Sequence, residues 1–510
     1  LDSKHVIRYD NKRKGGAFGM NYKVTLPELG RTIEAPAGRT LLEVLRAAGC
    51  APEAPCGGKG VCGKCRVRVN GAERLACQTV VDGPATVSLP ELAKWERILT
   101  GGCEQADAEP AEPVGAGLLL AFDIGTTTIA GYLMDEMGAQ IATGSRLNPQ
   151  APFGSDVITR IQLALKGEQE ALTRCVREAL ADLTCELLNA AKREADALGT
   201  ICVVGNPCMQ QLFLGISPKN LAGVPFAPVL TQTEISRAGD VIALWGDAAL
   251  LTVPDISGYV GADTVGCVLT TQMDRSDEIT LMVDIGTNGE MVMGSRARMV
   301  ACSTAAGPAL EGANIRFGMR AADGAIDHVT VENGEICCHV LGGGEARGIC
   351  GSGLIDAVVA LKELGLVNRR GRLQTQEQFE GDLAVRLSGE VWLTQNDVRQ
   401  MQLAKGAISA GIGLMARHLG IEVGQIDRLL LAGAFGSFIR VESACRIGLL
   451  PQELLEKAQA IGNAAGSGAK RAARSRKAFE HTQELAREIE FLELASLPDF
   501  QHEFARGMWI

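Results

Sequence analysis

Histidine is scarce in this chain: six occur in 510 residues, against sixteen cysteines. Any soft metal chemistry therefore falls mainly to sulfur. No run of 18 apolar residues occurs, so no membrane-spanning helix is expected. Positive charge does not dominate either. The formal net charge is −10, which implies no general affinity for nucleic acid. The pattern GxxxxGK[ST] is absent, and no GxGxxG follows a strand pattern. That removes the P-loop and dinucleotide folds and leaves NAD an unexpected ligand. No secretory signal is read, and scattered cysteines without one point to a reducing cytoplasm. A hydrophobic content of 46% over 510 residues is ample for the cores of several domains.

What the chain does have is a concentrated set of cysteines near its start. Cys56, Cys62, Cys65 and Cys77 lie in PCGGKGVCGKCRVRVNGAERLACQ, with gaps of five, two and eleven residues. Three crowd one glycine-rich loop and the fourth follows the next hairpin, as in a chain that wraps a 2Fe–2S cluster. Gly57, Gly58, Gly60 and Gly63 let backbone amides approach the sulfurs and supply unusual backbone angles. The first gap is one residue longer than in plant-type ferredoxins. Four cysteines also suit Zn²⁺, although structural zinc usually takes two close pairs rather than three thiols plus one. Cys175, Cys185, Cys202, Cys267, Cys302 and Cys445 sit in apolar or helical runs and read as buried inert thiols, as do Cys337, Cys338 and Cys350.

Around this loop, residues 21–92 read as a small β-rich domain. YKVTL and RTIEAP make a hairpin, TLLEVLRAAG a short helix with Leu41, Leu42 and Leu45 inward, and CRVRVNG a half-exposed strand. Residues 1–20 are expected to be a disordered extension. Residues 93–117 are expected to be an acidic, Pro- and Ala-rich linker, after a possible helix in ELAKWERIL and with Cys103 as an exposed bystander.

From Leu118 the pattern turns α/β. LLLAFDIGTTTIAGYLMD reads strand, glycine turn, strand, and the phrase returns 161 residues later as TLMVDIGTNGEMVMGS. The echo implies two related lobes, 118–278 and 279–510, each opened by the same hairpin. A DIGT turn offers amides and hydroxyls to phosphate oxygens, and its aspartate can hold water on Mg²⁺. One such turn is weak; two facing across a cleft make a nucleotide clamp. Gly125, Thr126, Thr127 and Thr128, with Gly286, Thr287 and Asn288, are expected to embrace the phosphates of ATP. Asp123 and Asp284 are expected to orient Mg²⁺. Asp263 in GYVGADTVG either positions the attacking water or caps a helix; Asp156 more simply caps one. The glycine-rich stretch 306–320, carrying Glu311, Arg316 and Arg320, is placed near the cleft or a partner surface. KRAARSRK reads as the solvated face of a helix.

The paired hairpins resemble the actin-like superfamily of actin, sugar kinases and heat-shock chaperones. That superfamily carries a glycine-bearing adenosine segment near its C-terminal end. DRLLLAGAFGSFIR fits that segment, and the resemblance implies that Gly433, Ala434 and Gly436 flank the nucleoside. Most of the chain resembles a narrower family, the reductive activators of corrinoid proteins. The matching phrases are PCGGKGVCGKC, FDIGTTT, NPQAPFGSDVITRI, VVGNPCMQQLFLGI, GYVGADTVG, VDIGTNGE, AGPALEGANIRFGMRAADGAI, GICGSGLID, LLLAGAFGSFI, IGNAAGSGA and LPDFQHEF. The resemblance implies a β-grasp 2Fe–2S ferredoxin domain ahead of a two-lobed α/β actin-like (duplicated RNase H-like) ATPase. It implies ATP-dependent return of one electron to Co(II) of a corrinoid methyltransferase protein, restoring Co(I). It also implies a low-potential electron donor protein, anaerobic use and a possible homodimer, with neither nucleic acid nor membrane as partner. Two alternatives stay open: an ATP-driven donor to a 2-hydroxyacyl-CoA dehydratase, and a nucleotide-switched redox-sensing binding protein.

Overall fold

The computed structural model describes residues 6–8, 20–89, 101–102 and 111–510. The expected helix in ELAKWERIL, Cys103 and most of the expected extension and linker lie outside the described residues.

The N-terminal unit is a sheet with one helix on it. β1 (Val6–Arg8) pairs in parallel with β3 (Arg31–Pro36), so part of the stretch expected to be disordered belongs to the sheet. β2 (Asn21–Leu26) and β3 form the expected antiparallel hairpin. α1 (Leu41–Ala47) starts at Thr40, whose hydroxyl accepts from the Glu43 amide while the Glu43 carboxylate accepts from the Thr40 amide. This reciprocal cap fixes the helix start, and Leu41, Leu42, Val44 and Leu45 face the core. β4 (Arg66–Val69) and β5 (Ala72–Leu75) make the second hairpin, and β6 (Ala85–Ser88) completes the order β1-β3-β2-β6-β4-β5. Sequence and order together are those of a β-grasp ferredoxin.

The next unit contains β7 (Leu118–Ile124), β8 (Thr128–Met134), β9 (Gln140–Leu147), α2 (Val157–Leu163), α3 (Gln169–Ala191), β10 (Leu198–Gly205), α4 (Pro207–Leu214), β11 (Glu234–Arg237), β12 (Ala249–Thr252) and α5 (Ala262–Thr271). Asp156 caps α2 as expected, accepting from the Thr159 amide at 2.8 Å. Leu172, Val176, Leu180, Leu183 and Leu187 make one helical sequence pattern over 168–199, but α3 stops at Ala191, because Lys192 takes the left-handed conformation and β10 begins at Leu198. Cys185, expected to be buried, lies exposed on α3.

The second lobe repeats the first. β13 (Thr280–Ile285), β14 (Gly289–Ser295) and β15 (Arg298–Thr304) form the same antiparallel meander. An insertion follows that the sequence reading did not resolve into strands. It holds β16 (Ala325–Glu332), β17 (Glu335–Val340), β18 (Gly348–Ile349), α6 (Gly351–Glu363), β19 (Gln378–Phe379), β20 (Asp382–Ser388) and β21 (Val391–Thr394). Then come α7 (Gln395–Leu419), β22 (Arg428–Ala432), α8 (Gly433–Phe438), α9 (Val441–Ile447), β23 (Ala458–Gly462), α10 (Ala464–Arg474), α11 (Arg476–Glu488), β24 (Glu490–Phe491) and α12 (Phe500–Gly507). The two sheets have matching orders, β12-β10-β7-β8-β9 and β23-β22-β13-β14-β15, flanked by β11 and β24. β7 pairs in parallel with β10 just as β13 does with β22. The repeated DIGT phrase thus occupies equivalent central strands. Among the described residues no helix is long and apolar enough to cross a membrane.

The lobes meet where α5 and α10 cross. A side chain at Gly468 would collide with the Gly266 backbone, and one at Gly266 would press on the Ala465 carbonyl at 3.1 Å. Basic residues of KRAARSRK join this contact rather than simply facing solvent. Arg471 Nη1 donates to the Leu269 carbonyl at 2.7 Å, and Lys470 Nζ lies 5.0 Å from the Tyr132 ring centre.

Glycine-to-alanine substitution has opposite signs at this crossing and in α7. Gly468→Ala should lower stability by about 2–3 kcal/mol, because a backbone cannot yield as a side chain can. In α7, Gly413 has nothing within 4 Å of an added methyl. Gly413→Ala should raise stability by about 0.5–1 kcal/mol through helix propensity alone. Urea denaturation midpoints of the two variants check both.

Candidate functional site

The cysteine loop has the backbone its glycines suggest. Gly57, Gly58, Gly60 and Gly63 all have φ between +66° and +97°. The four thiols fall into two pairs: Cys56 Sγ lies 3.2 Å from Cys62 Sγ, and Cys77 is near enough to Cys65 to help raise its thiol. Two irons, each taking two thiolates, need this two-plus-two arrangement, so the residues fit a 2Fe–2S cluster. Burial raises the Cys56 thiol, but bonds from Cys62 and from the amides of Cys62, Val61 and Gly58 outweigh it and bring the group down to about 6. The same amides would stabilise negative sulfur in a bound cluster. Burial pushes Cys65 up to about 11. Cys65 and Cys77 are buried, whereas Cys56 and Cys62 are half-exposed beside Val61, which is 80% exposed. Cys62 and Val61 also border a cavity of about 470 Å³ shared with Arg316, Phe379 and Glu380 of the second lobe.

The second site is a cleft of about 260 Å³ between the lobes. Both repeated hairpins line it: Asp123, Gly125, Thr126, Thr127 and Thr128 from one, Asp284, Gly286, Thr287 and Asn288 from the other. Asp263 and Gly433 also line it. Asp263 is not a helix cap: Gly261 takes that position, and Asp263 sits one turn-residue inside α5 with its carboxylate accepting from the Thr264 amide. Gly436 does not line the cleft. It packs on the Leu431 backbone, so its small size serves the contact between α8 and β22. Ala434 continues α8 beside Gly433.

Several lining residues were not singled out from sequence. Glu290 stands directly across from Asp284 in the β13–β14 register. Asn463, the cap of α10, donates from Nδ2 to Asp123 Oδ2 at 2.9 Å. Phe435 and Phe438 supply aromatic walls. The first hairpin is braced from outside. Asn148 Nδ2 donates to the Gly125 carbonyl at 2.8 Å, and the buried Arg160 donates to the Thr126 carbonyl at 2.6 Å. Asn206 Nδ2 donates to Thr126 Oγ1 at 3.1 Å. Glu311 bridges the hairpins: Thr127 Oγ1 donates to its Oε1 at 3.1 Å, and Thr287 Oγ1 to its Oε2 at 2.6 Å.

The cleft floor is therefore crowded with carboxylates, walled by protein and open to solvent on the cleft side. Burial, with Asp263 and Asp284 as like-charged neighbours, pushes Asp123 up to about 7 despite the Asn463 bond. Burial and neighbouring Asp263 and Glu311 push Asp284 up to about 7 as well. Burial raises Asp263 to about 6, and Glu290 well above its usual range. A floor of this kind fits a hydrated Mg²⁺, whose charge would let these groups ionise together.

Comparison with known proteins identifies the domains in which these residues lie. A family model described as the 2Fe-2S iron-sulfur cluster binding domain matches residues 24–82. The RACo middle region matches 118–276, and the C-terminal domain of RACo, the ASKHA domain, matches 278–510. The chain is 34% identical over 406 residues to the corrinoid activation enzyme RamQ of Eubacterium limosum, covering 75% of this chain and 68% of that one. It is 26% identical over 371 residues to the [Co(II) methylated amine-specific corrinoid protein] reductase of Methanosarcina barkeri, covering 65% of each. A solved structure, the reductive activator for corrinoid, iron-sulfur protein, superposes with a TM-score of 0.72 at 28% identity, over 96% of this chain and 98% of that one.

The raised carboxylates carry a sign. Their folded values lie above the unfolded 3.8 for aspartate, so folding favours the protonated forms. The metal-free protein should lose melting temperature as pH rises from 5.5 to 8. Mg²⁺ with nucleotide, which selects the ionised forms, should reduce that loss. If one such proton leaves on binding, Mg²⁺–ADP affinity should rise about tenfold from pH 6 to pH 8. Calorimetric titrations across that range test this, and a flat profile would refute it.

Proposed function

Because the chain belongs to the family of corrinoid activation enzymes, we propose that it reductively activates a corrinoid protein in a reaction driven by ATP. The single observation that carries this reading is the union, in one chain, of a paired-thiol cluster loop and a two-hairpin phosphate cleft. A sugar kinase has no use for the first, and a simple ferredoxin none for the second. When bound, the 2Fe–2S cluster supplies one electron, which converts Co(II) of the partner's corrinoid to Co(I).

The chain's own residues do the rest. Cys56, Cys62, Cys65 and Cys77 would hold the cluster, with the half-exposed Cys62 on the side that borders the second-lobe cavity. Asp123 and Asp284 orient the waters of Mg²⁺. The amides and hydroxyls of Gly125 to Thr128 and of Gly286 to Asn288 hold the triphosphate. Gly433 and Ala434, with the rings of Phe435 and Phe438, border the nucleoside. Asp263, ionised once Mg²⁺ is bound, aligns the water that attacks the terminal phosphorus, and that water's proton leaves toward the carboxylate floor. The products are ADP and inorganic phosphate. Hydrolysis is needed because Co(I) is a very strong reductant: each ~59 mV of mismatch costs about 1.4 kcal/mol for one electron. The upstream electron comes from a low-potential donor protein. A homodimer is compatible with this scheme but plays no part in it.

Anaerobic mixing of the reduced protein with a Co(II) corrinoid methyltransferase protein, with and without Mg²⁺–ATP, tests the proposal. Co(I) absorption should grow in with ATP. Cys62→Ala should abolish it, and Asp123→Ala should slow it about tenfold or more. If no Co(I) forms with several corrinoid partners while the cluster is intact and reduced, the corrinoid assignment is wrong.

A further inference from the structure

Glu311 occupies an unusual position for a carboxylate. It accepts from Thr127 of one hairpin and Thr287 of the other, one hydroxyl per oxygen. These are hydroxyls that the terminal phosphate of a nucleotide would need. A carboxylate held by two hydroxyls presents the charge and acceptor geometry of a phosphate edge. Glu311 therefore stands where a phosphate would stand, and negative charge entering the cleft must displace it.

The residue is tied to the cluster loop by a short, stiff segment. Glu311 ends a helical turn, Pro308–Glu311, and Gly312 follows it with φ +79°. The chain then closes on itself: a side chain at Gly312 would run into the Met319 backbone, and one at Gly318 into the Gly312 carbonyl. The neck is held to β18 by the Met319 amide, which donates to the Ile349 carbonyl at 2.9 Å, and by the Ile349 amide, which donates to the Phe317 carbonyl at 2.8 Å, so a displacement of Glu311 is felt there first. The same neck holds the ferredoxin domain. Lys64, between Cys62 and Cys65, donates to the Gly318 carbonyl at 3.2 Å. Arg320 pairs with Glu53, three residues before Cys56, at 2.9 Å. Met319 and Arg320 also line the nucleotide cleft. An arriving triphosphate thus repels Glu311 and attracts Arg320, and both effects pull the segment away from its contacts with the cluster loop.

Resting on the nucleotide reading of this cleft, we propose that Glu311 is a positioning residue that acts as an internal phosphate surrogate. In the nucleotide-free protein it joins the hairpins and keeps segment 311–320 on the cluster loop. Nucleotide binding ejects it, and the cluster loop is released on its second-lobe side, where Cys62 and Val61 border the shared cavity.

The test needs no corrinoid. The full chain with its cluster reduced is mixed with ferricyanide, which accepts one electron per cluster, and the oxidation rate is followed with and without a non-hydrolysable Mg²⁺–ATP analogue. Nucleotide should speed oxidation by about fivefold or more, the usual scale of coupling between two sites. Glu311→Ala should oxidise quickly without nucleotide and should bind the analogue about fivefold more tightly. Glu311→Gln, which keeps the shape but loses the charge, should shift both quantities in the same direction by less. Glu53→Ala, remote from the cleft, should also speed oxidation, and by reciprocity it should tighten nucleotide binding. An oxidation rate that ignores nucleotide in the unaltered protein would overturn the proposal. So would weaker nucleotide binding by Glu311→Ala, which would make Glu311 a nucleotide ligand instead. A normal nucleotide response without Co(I) formation removes the corrinoid assignment and leaves this inference standing; Co(I) formation without the response does the reverse.

Discussion

Everything in the nucleotide half depends on how closely α5 and α10 can approach. Each helix follows the last parallel strand of its lobe, and each begins at the cleft with a residue that touches the carboxylate floor. Gly266 and Gly468 let the helix backbones meet without intervening side chains. That contact sets the distance between the lobes, and hence between Asp123 and Asp284, which sit at equivalent positions of the duplicated sheets. Wider spacing would leave two isolated turns, each a poor phosphate site. Around the two glycines one buried apolar cluster runs through the crossing, from Leu119, Ala121 and Tyr132 of the first sheet, through Val265 and Val268 of α5 and Ala469 and Ala473 of α10, to Met282, Val292 and Leu430 of the second.

The floor stores an electrostatic tension that only a cation relieves. Asp123, Asp263, Asp284 and Glu290 are all raised, with burial as the leading cause. Asn463 offsets part of this at Asp123, and the backbone amide of Thr264 part of it at Asp263. Neither supplies positive charge. Mg²⁺ would supply it, and phosphates would then gain attraction where the carboxylates alone offer repulsion. A floor of this kind, with Arg320 as the one basic side chain among the described lining residues, would favour metal-bound over free nucleotide.

Much of this was legible in the sequence because it is carried by local, repeated chemistry. The four-cysteine loop was visible because its glycines and spacings are dictated by backbone angles. The two hairpins were visible because duplication writes the same phrase twice. What was missed is non-local. Glu290 was hidden in plain alternation, since only the register opposite Asp284 gives it a role. Asn463 reaches the cleft, and Arg160 the back of the first hairpin, from segments remote in sequence, and no periodicity marks them, whereas the placement of Glu311 near the cleft is borne out. The strands of the insertion are short and half-buried, so their alternation is weak. Yet Asn333-Gly334, both with positive φ, is a hairpin signal that could have located β16 and β17. α3 was overrun because AKREADALG favours helix by composition, while the left-handed Lys192 that ends it has no sequence mark. Gly436 was assigned to the nucleoside because strand-to-helix glycines have two uses, close approach to a ligand and close packing, and a single sequence does not separate them.

The ferredoxin domain is held at two places of different kinds. On the first lobe, Arg46 Nε donates to the Pro152 carbonyl at 2.8 Å, and the Ser155 amide to the Pro55 carbonyl at 3.3 Å. Phe153 lies under the Arg46 guanidinium at 5.2 Å. These contacts use backbone carbonyls and an aromatic face, so an anion in the cleft leaves them largely alone. On the second lobe the hold is polar and half-exposed: Lys64 donates to the Gly318 carbonyl, and Arg320 pairs with Glu53. Such a pair is worth only about 0–1 kcal/mol. That is too little to drive an electron uphill, since a gap of roughly 100 mV costs about 2.3 kcal/mol. The driving free energy must come from the difference in nucleotide affinity between conformations. A weak polar hold is suited to that division of labour: it is strong enough to bias which conformation waits, and weak enough to yield when the nucleotide arrives. The firm contacts on the first lobe then act as the hinge that keeps the released cluster loop attached to its ATPase.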